Sequence, residues 1–261
     1  MKLGLCSIAF LNLPLCEVAR LAANAGLDGI EITAREPHLG CEATPSTAAD
    51  IRREIRSLGL DVIAYGSYFG SQGRYSETDA RKEVALAAAL EAPLLRVWAA
   101  TVEGSGEMAP AIEGIKSITR LAAKESITIV VERHAGTFAD TPERIEALFK
   151  AISESSVGLN YQPLDFLSAS AYEAQPDDAR RMLPLARYVH LKNYRLPGIP
   201  NANTLPWAPL GSGAIDYRSV LAVIASSGYA GPASIEFLAN DDRPAAMRLA
   251  ADVAFVRTAL G

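Results

Sequence analysis

Eight short apolar runs alternate with eight longer amphipathic ones along the chain, and this alternation constrains the fold more than any other feature. The apolar runs Leu3–Ile8, Gly29–Thr33, Asp61–Gly66, Leu94–Trp98, Thr128–Glu132, Val157–Tyr161, Tyr188–Lys192 and Ala233–Phe237 predict strands. The segments Leu15–Ala25, Ser46–Leu58, Glu77–Leu90, Ala109–Glu125, Thr141–Ser153, Pro176–Leu185, Tyr217–Ser227 and Arg243–Leu260 predict helices. Gly26, Gly59 and Gly228 stand where helices should stop, and Thr141-Pro142-Glu143 has the form of a helix start. Strict alternation with short connections demands parallel strands joined by right-handed crossovers, and eight such units close into a (β/α)8 TIM barrel. At 261 residues the chain has the length of one such barrel, so residues 1–261 are expected to form a single domain. An open doubly wound sheet would need a glycine-rich phosphate-binding turn after its first strand, and none is present.

In a barrel of this kind the chemistry gathers at the carboxyl ends of the strands. Those ends read Glu31, Tyr65 with Tyr68, Arg96 with Trp98, Glu132 with His134, Asn160 with Gln162 and Asp165, His190 with Lys192, and Glu236. The central stretch Ile129–Gly136 shows the pattern most clearly, passing from a buried apolar run to a carboxylate, a guanidinium and an imidazole. Glu132 and His134 are two apart and share a side of the extended chain, while Arg133 points away. All three histidines of the chain, His38, His134 and His190, fall at or just after a predicted strand end. An unpaired carboxylate buried at Glu236 would cost several kcal/mol or change its protonation state, so a cation is expected beside it. Two carboxylates, an imidazole and one further oxygen would hold Mn²⁺, Mg²⁺, Co²⁺ or Zn²⁺. Such an ion acidifies a carbon-bound proton next to a carbonyl, and a glutamate can then move that proton. Arg96, Lys192, His38, Tyr65, Tyr68 and Trp98 are expected to hold the oxygens and carbons of a polyol, though the aromatic residues serve equally well as packing. The fourth metal ligand is expected to be the amide oxygen of Gln162, in register with Asn160. Asp165, just past the tip, is the rival for that position or a partner for a substrate hydroxyl.

The balance of charge narrows the partners. A net charge of -5 and a pI near 5.4 argue against a surface of the kind nucleic acid requires, while leaving room for a local basic patch. Cys6, Cys16 and Cys41 are odd in number and lack metal-site spacing, which points to a reducing, cytoplasmic compartment. The start of the chain, Met1–Phe10, superficially resembles a short signal segment, but no small-residue cleavage site follows and Pro14 with Glu17 opens a helix, so a first strand is expected. No apolar run is long enough to span a membrane. The irregular stretch Asn193–Ala214 is expected to lie over the barrel mouth, with Trp207 near the substrate or a neighbouring subunit.

Four motifs resemble the xylose isomerase-like barrels, a superfamily that includes sugar epimerases, hydroxypyruvate isomerases, 3-dehydroshikimate dehydratases and, more distantly, endonuclease IV. Val130–His134 looks like that family's Glu-x-His strand end, and Tyr188–Asn193 like its His-x-Lys-Asp/Asn. Leu210–Asp216 is similar to its Gly-x-Gly-x-x-Asp loop, and Gly228–Glu236 to its closing Gly-Tyr-x-Gly and glutamate. The resemblance implies that Glu132, His190 and Glu236 are metal ligands, that the two glutamates form an acid–base pair, that His134 meets substrate oxygens, and that the chain forms a dimer or tetramer. Gln162 departs from the pattern, standing where the family carries a ligand aspartate. The expected activity is that of a sugar or sugar-acid isomerase or epimerase, with a dehydratase of a cyclic keto-polyol such as 3-dehydroshikimate or an inosose as the alternative. A barrel that only binds a ligand is a further alternative, against which the retained Glu132, His190, Lys192 and Glu236 argue.

Overall fold

Every one of the predicted apolar runs becomes a strand, in a computed structural model that describes residues 1–102, 106–163, 169–195 and 207–260. The barrel strands are β1 (Leu3–Cys6), β2 (Gly29–Thr33), β3 (Asp61–Gly66), β4 (Leu94–Val97), β5 (Thr128–Glu132), β6 (Val157–Tyr161), β7 (Ala186–Leu191) and β10 (Ala233–Ile235). They close in the order β1-β10-β7-β6-β5-β4-β3-β2, with every neighbouring pair parallel. Two short strands after β7, β8 (Asn193–Tyr194) and β9 (Trp207–Ala208), form a separate antiparallel pair. The helices are α1 (Leu15–Asn24), α2 (Pro45–Ser57), α3 (Glu77–Ala89), α4 (Ala109–Ala122), α5 (Pro142–Ile152), α6 (Ala169–Glu173), α7 (Gln175–Met182), α8 (Tyr217–Ser226) and α9 (Ala245–Leu260). Thr44 and Thr141 cap α2 and α5, each followed by proline in the first turn.

Several strands end one to two residues earlier than the apolar runs do, because the chain leaves the ladder where the polar tips begin. Ser7–Phe10 turns into a 3₁₀ helix, and the Lys192 amide donates to the Tyr217 hydroxyl at 2.9 Å instead of to a strand. Glu236 lies just beyond β10, yet its amide still donates to Leu191 O at 2.9 Å, which fixes it to the barrel wall.

Side-chain alternation then divides the interior into layers. The main apolar core lies between strands and helices, while Ile63, Ala64, Leu94, Val130 and Tyr188 form a small separate cluster. Leu94, Val130 and Tyr188 stand two residues before Arg96, Glu132 and His190, so this cluster is the floor beneath the polar tips. Gly4 and Gly29 make room for it: a Cβ at either would come within 2.7 Å of the Ile63 side chain. The register of β2 on β3 slips between Ile30 and Glu31, whose partners are Val62 and Ala64. The bulge at Ile63 reverses which residues of β3 face inward.

Candidate active site

Three donors from different strands meet above the floor. One ligand atom each from Glu132, His190 and Glu236 lies within 4.8 Å of the others, and all three residues are buried. Glu132 ends β5, His190 is the penultimate residue of β7, and Glu236 follows β10, so strand geometry alone brings them together. Each carboxylate is matched by a fixed cation. Arg96 Nη1 is 3.2 Å from Glu132 Oε2 and 3.5 Å from Glu31 Oε1, and Lys192 Nζ is 3.0 Å from Glu236 Oε2. Burial alone would raise the Glu236 carboxyl, but Lys192 and His190 outweigh it and hold the group well below the usual carboxylate range. Burial likewise opposes charge on His190, yet Glu31 and Glu236 push its imidazole up to about 9.

The donor set suits a hard divalent cation. Glu132 Oε2 and Glu236 Oε2 are paired with the Arg96 and Lys192 cations, whereas Gln162 Oε1 is a buried oxygen that accepts no hydrogen bond among the described residues, a costly state unless something positive stands beside it. Gln162 directs its amide nitrogen to Glu132 Oε1 at 3.3 Å and to the carbonyl of Arg133, which leaves the amide oxygen as the unpaired one. Asp165, its rival, lies outside the described residues.

Two aromatic walls flank these groups. On one side Trp98 packs between Tyr68, with ring centroids 5.9 Å apart, and His134, at 4.7 Å; the Arg96 guanidinium is 5.7 Å from the Tyr68 ring. Backbone bonds from Phe138 to Ala99 and from Val102 to Gly136 tie the loops after β4 and β5 together and hold that wall in place. On the other side Trp207 stacks on Phe237 at 4.0 Å, and Lys192 Nζ is 5.9 Å from the Trp207 ring and 5.8 Å from that of Phe237. Trp207 therefore lies at the rim; residues 196–206 of its loop lie outside the described residues.

Two expected contributors are elsewhere. Tyr65 faces away from the interior, its hydroxyl donating to Glu83 of α3 at 2.7 Å, because the bulge at Ile63 turns it outward. His38 is tied through Nδ1 to Ser7 Oγ at 3.0 Å and through Nε2 to Leu13 O at 3.1 Å, so neither nitrogen remains for a substrate, and burial lowers its affinity for a proton. Arg133 points outward as expected and pairs with Asp178 of α7. One residue gained importance. Glu31, noted in the sequence only as a strand tip, lies 2.6 Å from His190 Nε2, and His190 and Arg96 bring its carboxyl down to about 2 against the opposing effect of burial. A charged residue inside the otherwise apolar Gly29–Thr33 was the available signal.

Comparison with known proteins agrees with this architecture. A family model described as xylose isomerase-like TIM barrel matches residues 19–259. An inosose dehydratase from Yersinia enterocolitica is 25% identical over 134 residues, which cover 46% of this chain and 44% of that protein, so the chain aligns with less than half the length of that relative. Among solved structures, the probable 3-DHS dehydratase of petrobactin synthesis from Bacillus anthracis superposes with a TM-score of 0.75 at 18% identity, covering 98% of this chain and 99% of that one. A D-psicose 3-epimerase crystallised in the presence of D-fructose gives 0.72 at 16% identity, with all of both chains covered. At these identities the two structures speak for the fold alone.

Proposed function

Because the chain belongs to the xylose isomerase-like TIM barrel family, we propose that it is a divalent-metal-dependent isomerase or epimerase of a sugar or sugar acid. The observation that carries this reading is the approach of Glu132, His190 and Glu236 to within 4.8 Å, all three buried at the carboxyl ends of separate strands. Glu132, His190, Glu236 and the amide oxygen of Gln162 would hold the ion, which when bound polarises the substrate carbonyl and lowers the acidity barrier at the adjacent carbon. The protein's own groups do the rest. Glu236, kept ionised by Lys192, takes the proton from that carbon, and Glu132, entering the cycle protonated, returns one to give the epimer or, with the neighbouring hydroxyl proton moved to the old carbonyl oxygen, the transposed carbonyl; proton exchange with water resets the pair. Arg96 and Lys192 hold oxygens on which negative charge develops. Tyr68, Trp98, His134 and Trp207 enclose the carbon skeleton and keep water away.

A lyase working from the same proton abstraction is the second reading, favoured by the similarity to an inosose dehydratase and to a probable 3-DHS dehydratase. There His134, whose Nε2 has no protein partner among the described residues, would protonate a departing β-hydroxyl. Incubating the metal-loaded protein with a panel of ketoses, sugar acids and cyclic keto-polyols separates the two: a lyase raises near-ultraviolet absorbance through a conjugated product, and an isomerase does not. On the substrate so found, Glu132→Gln and Glu236→Gln are each expected to lose roughly 10²–10⁴ in turnover. Retention of turnover within about tenfold of wild type in both would refute the acid–base assignment.

A further inference from the structure

Glu31 lies wholly buried beneath the three donors, and the roles assigned above make no use of it. Its carboxylate is a hub for groups from several strands. His190 Nε2 is 2.6 Å from Oε2, the Tyr188 hydroxyl donates to the same oxygen at 2.8 Å while lying 2.6 Å from Ser234 Oγ, and Arg96 Nη1 is 3.5 Å from Oε1. The fold reserves space for it, since a Cβ at Gly66 would stand 2.4 Å from Glu31 Oε1. An ionised carboxylate only accepts hydrogen bonds, so the nitrogen that faces it must carry a proton. The other nitrogen, Nδ1, lies 3.5 Å from Glu236 Oε1 and 3.3 Å from Asn160 Nδ2, so a proton that Glu236 favours there must leave when an ion takes its place.

We propose that Glu31 is a positioning residue that fixes the tautomer and ring orientation of His190, so that Nδ1 and not Nε2 is the nitrogen offered to a divalent cation between Glu132 and Glu236. The inference rests on the metal-dependent reading above. Cys6 also comes within ligand range of Glu31 and His190, but 2.6 Å between His190 Nε2 and the Glu31 oxygen is a direct hydrogen bond and leaves no place for an ion between them. A carboxylate behind a ligating imidazole holds the ring in its binding orientation, and loss of such a partner typically weakens metal affinity 10–100-fold.

The test uses the whole protein labelled with ¹⁵N-histidine and loaded with Zn²⁺. With His38, His134 and His190 as the only histidines, single substitutions of the first two assign the spectrum. His190 is expected to keep its Nε2 proton and to show the shift of a metal-bound nitrogen at Nδ1. In parallel, Glu31→Gln should bind Mn²⁺ about 10–100-fold more weakly than wild type, and Tyr188→Phe, which removes one donor to Glu31, should lose less. A bound ion with Nε2 as the ligating nitrogen overturns the proposal, as does a folded Glu31→Gln protein that binds Mn²⁺ as tightly as wild type. If Glu31→Gln does not fold, the wild-type spectrum decides alone. Failure of the wild type to bind either ion overturns the metal-dependent reading as well, which separates the two failures.

Discussion

Gln162 and Tyr65 show how much a single side chain's orientation decides. Gln162 gives its amide nitrogen to Glu132 and the Arg133 carbonyl and keeps a buried oxygen without a partner among the described residues, as a neutral ligand would. Restoring a carboxylate by Gln162→Asp adds a negative charge beside the ion, so Mn²⁺ titration should show tighter binding than in wild type; unchanged or weaker binding would remove Gln162 from the ligand set. Tyr65→Phe probes the opposite case. Its hydroxyl serves Glu83 on the outer side of the barrel, so the variant should lose about 1 kcal/mol of stability while turnover stays within about twofold of wild type. A large loss of turnover would return Tyr65 to the site. The sequence made Glu132, His190 and Glu236 legible because each interrupts or ends an apolar strand with a charge. It hid the role of Glu31, because its partner His190 is 159 residues away. It hid the outward turn of Tyr65, because one extra residue at Ile63 reverses the alternation without altering composition.

At the level of elements, the strands and helices were readable from period and length, while the loop after β7 was readable only as long and irregular. The described part of that loop is held by side chains. Asn193 donates to Leu210 O at 2.9 Å and Ile215 O at 3.0 Å and accepts from the Ile215 amide at 3.0 Å, and Gly213 is required beside it, since a Cβ there would meet the Asn193 amide at 2.1 Å. Asp252 of α9 accepts from the Leu210 amide at 2.9 Å and completes the attachment. Burial pushes the Asp252 carboxyl up to about 6 from an ordinary 3.8, against smaller downward effects of the Leu210 amide and Arg243. The folded chain therefore holds a proton that the unfolded chain releases earlier. The resulting stabilisation is complete below about pH 4 and is lost as the pH rises through about 6, with a size of roughly 3 kcal/mol. Asp252→Asn keeps an acceptor for Leu210 and cannot ionise. In urea unfolding the gap between variant and wild type should move in the variant's favour from pH 4 to pH 7; a gap that does not change with pH would contradict the assignment.

For the whole molecule, the barrel follows from the alternation of strands and helices, and closure is what converts separate polar tips into one site. Residues from β2, β4, β5, β6, β7 and β10 share an interior whose lower layer is apolar and whose upper layer carries three carboxylates, a guanidinium, an ammonium and an imidazole. Among the described residues no helix is long and apolar enough to cross a membrane. The central claim is that this upper layer holds a divalent ion between Glu132, His190 and Glu236. Anomalous scattering from crystals of the protein soaked in Mn²⁺ tests it most directly. The account predicts one strong peak within about 2–2.5 Å of a Glu132 oxygen, His190 Nδ1 and a Glu236 oxygen. A saturating soak that leaves that position empty, with Arg96 and Lys192 still pairing the carboxylates, would contradict it.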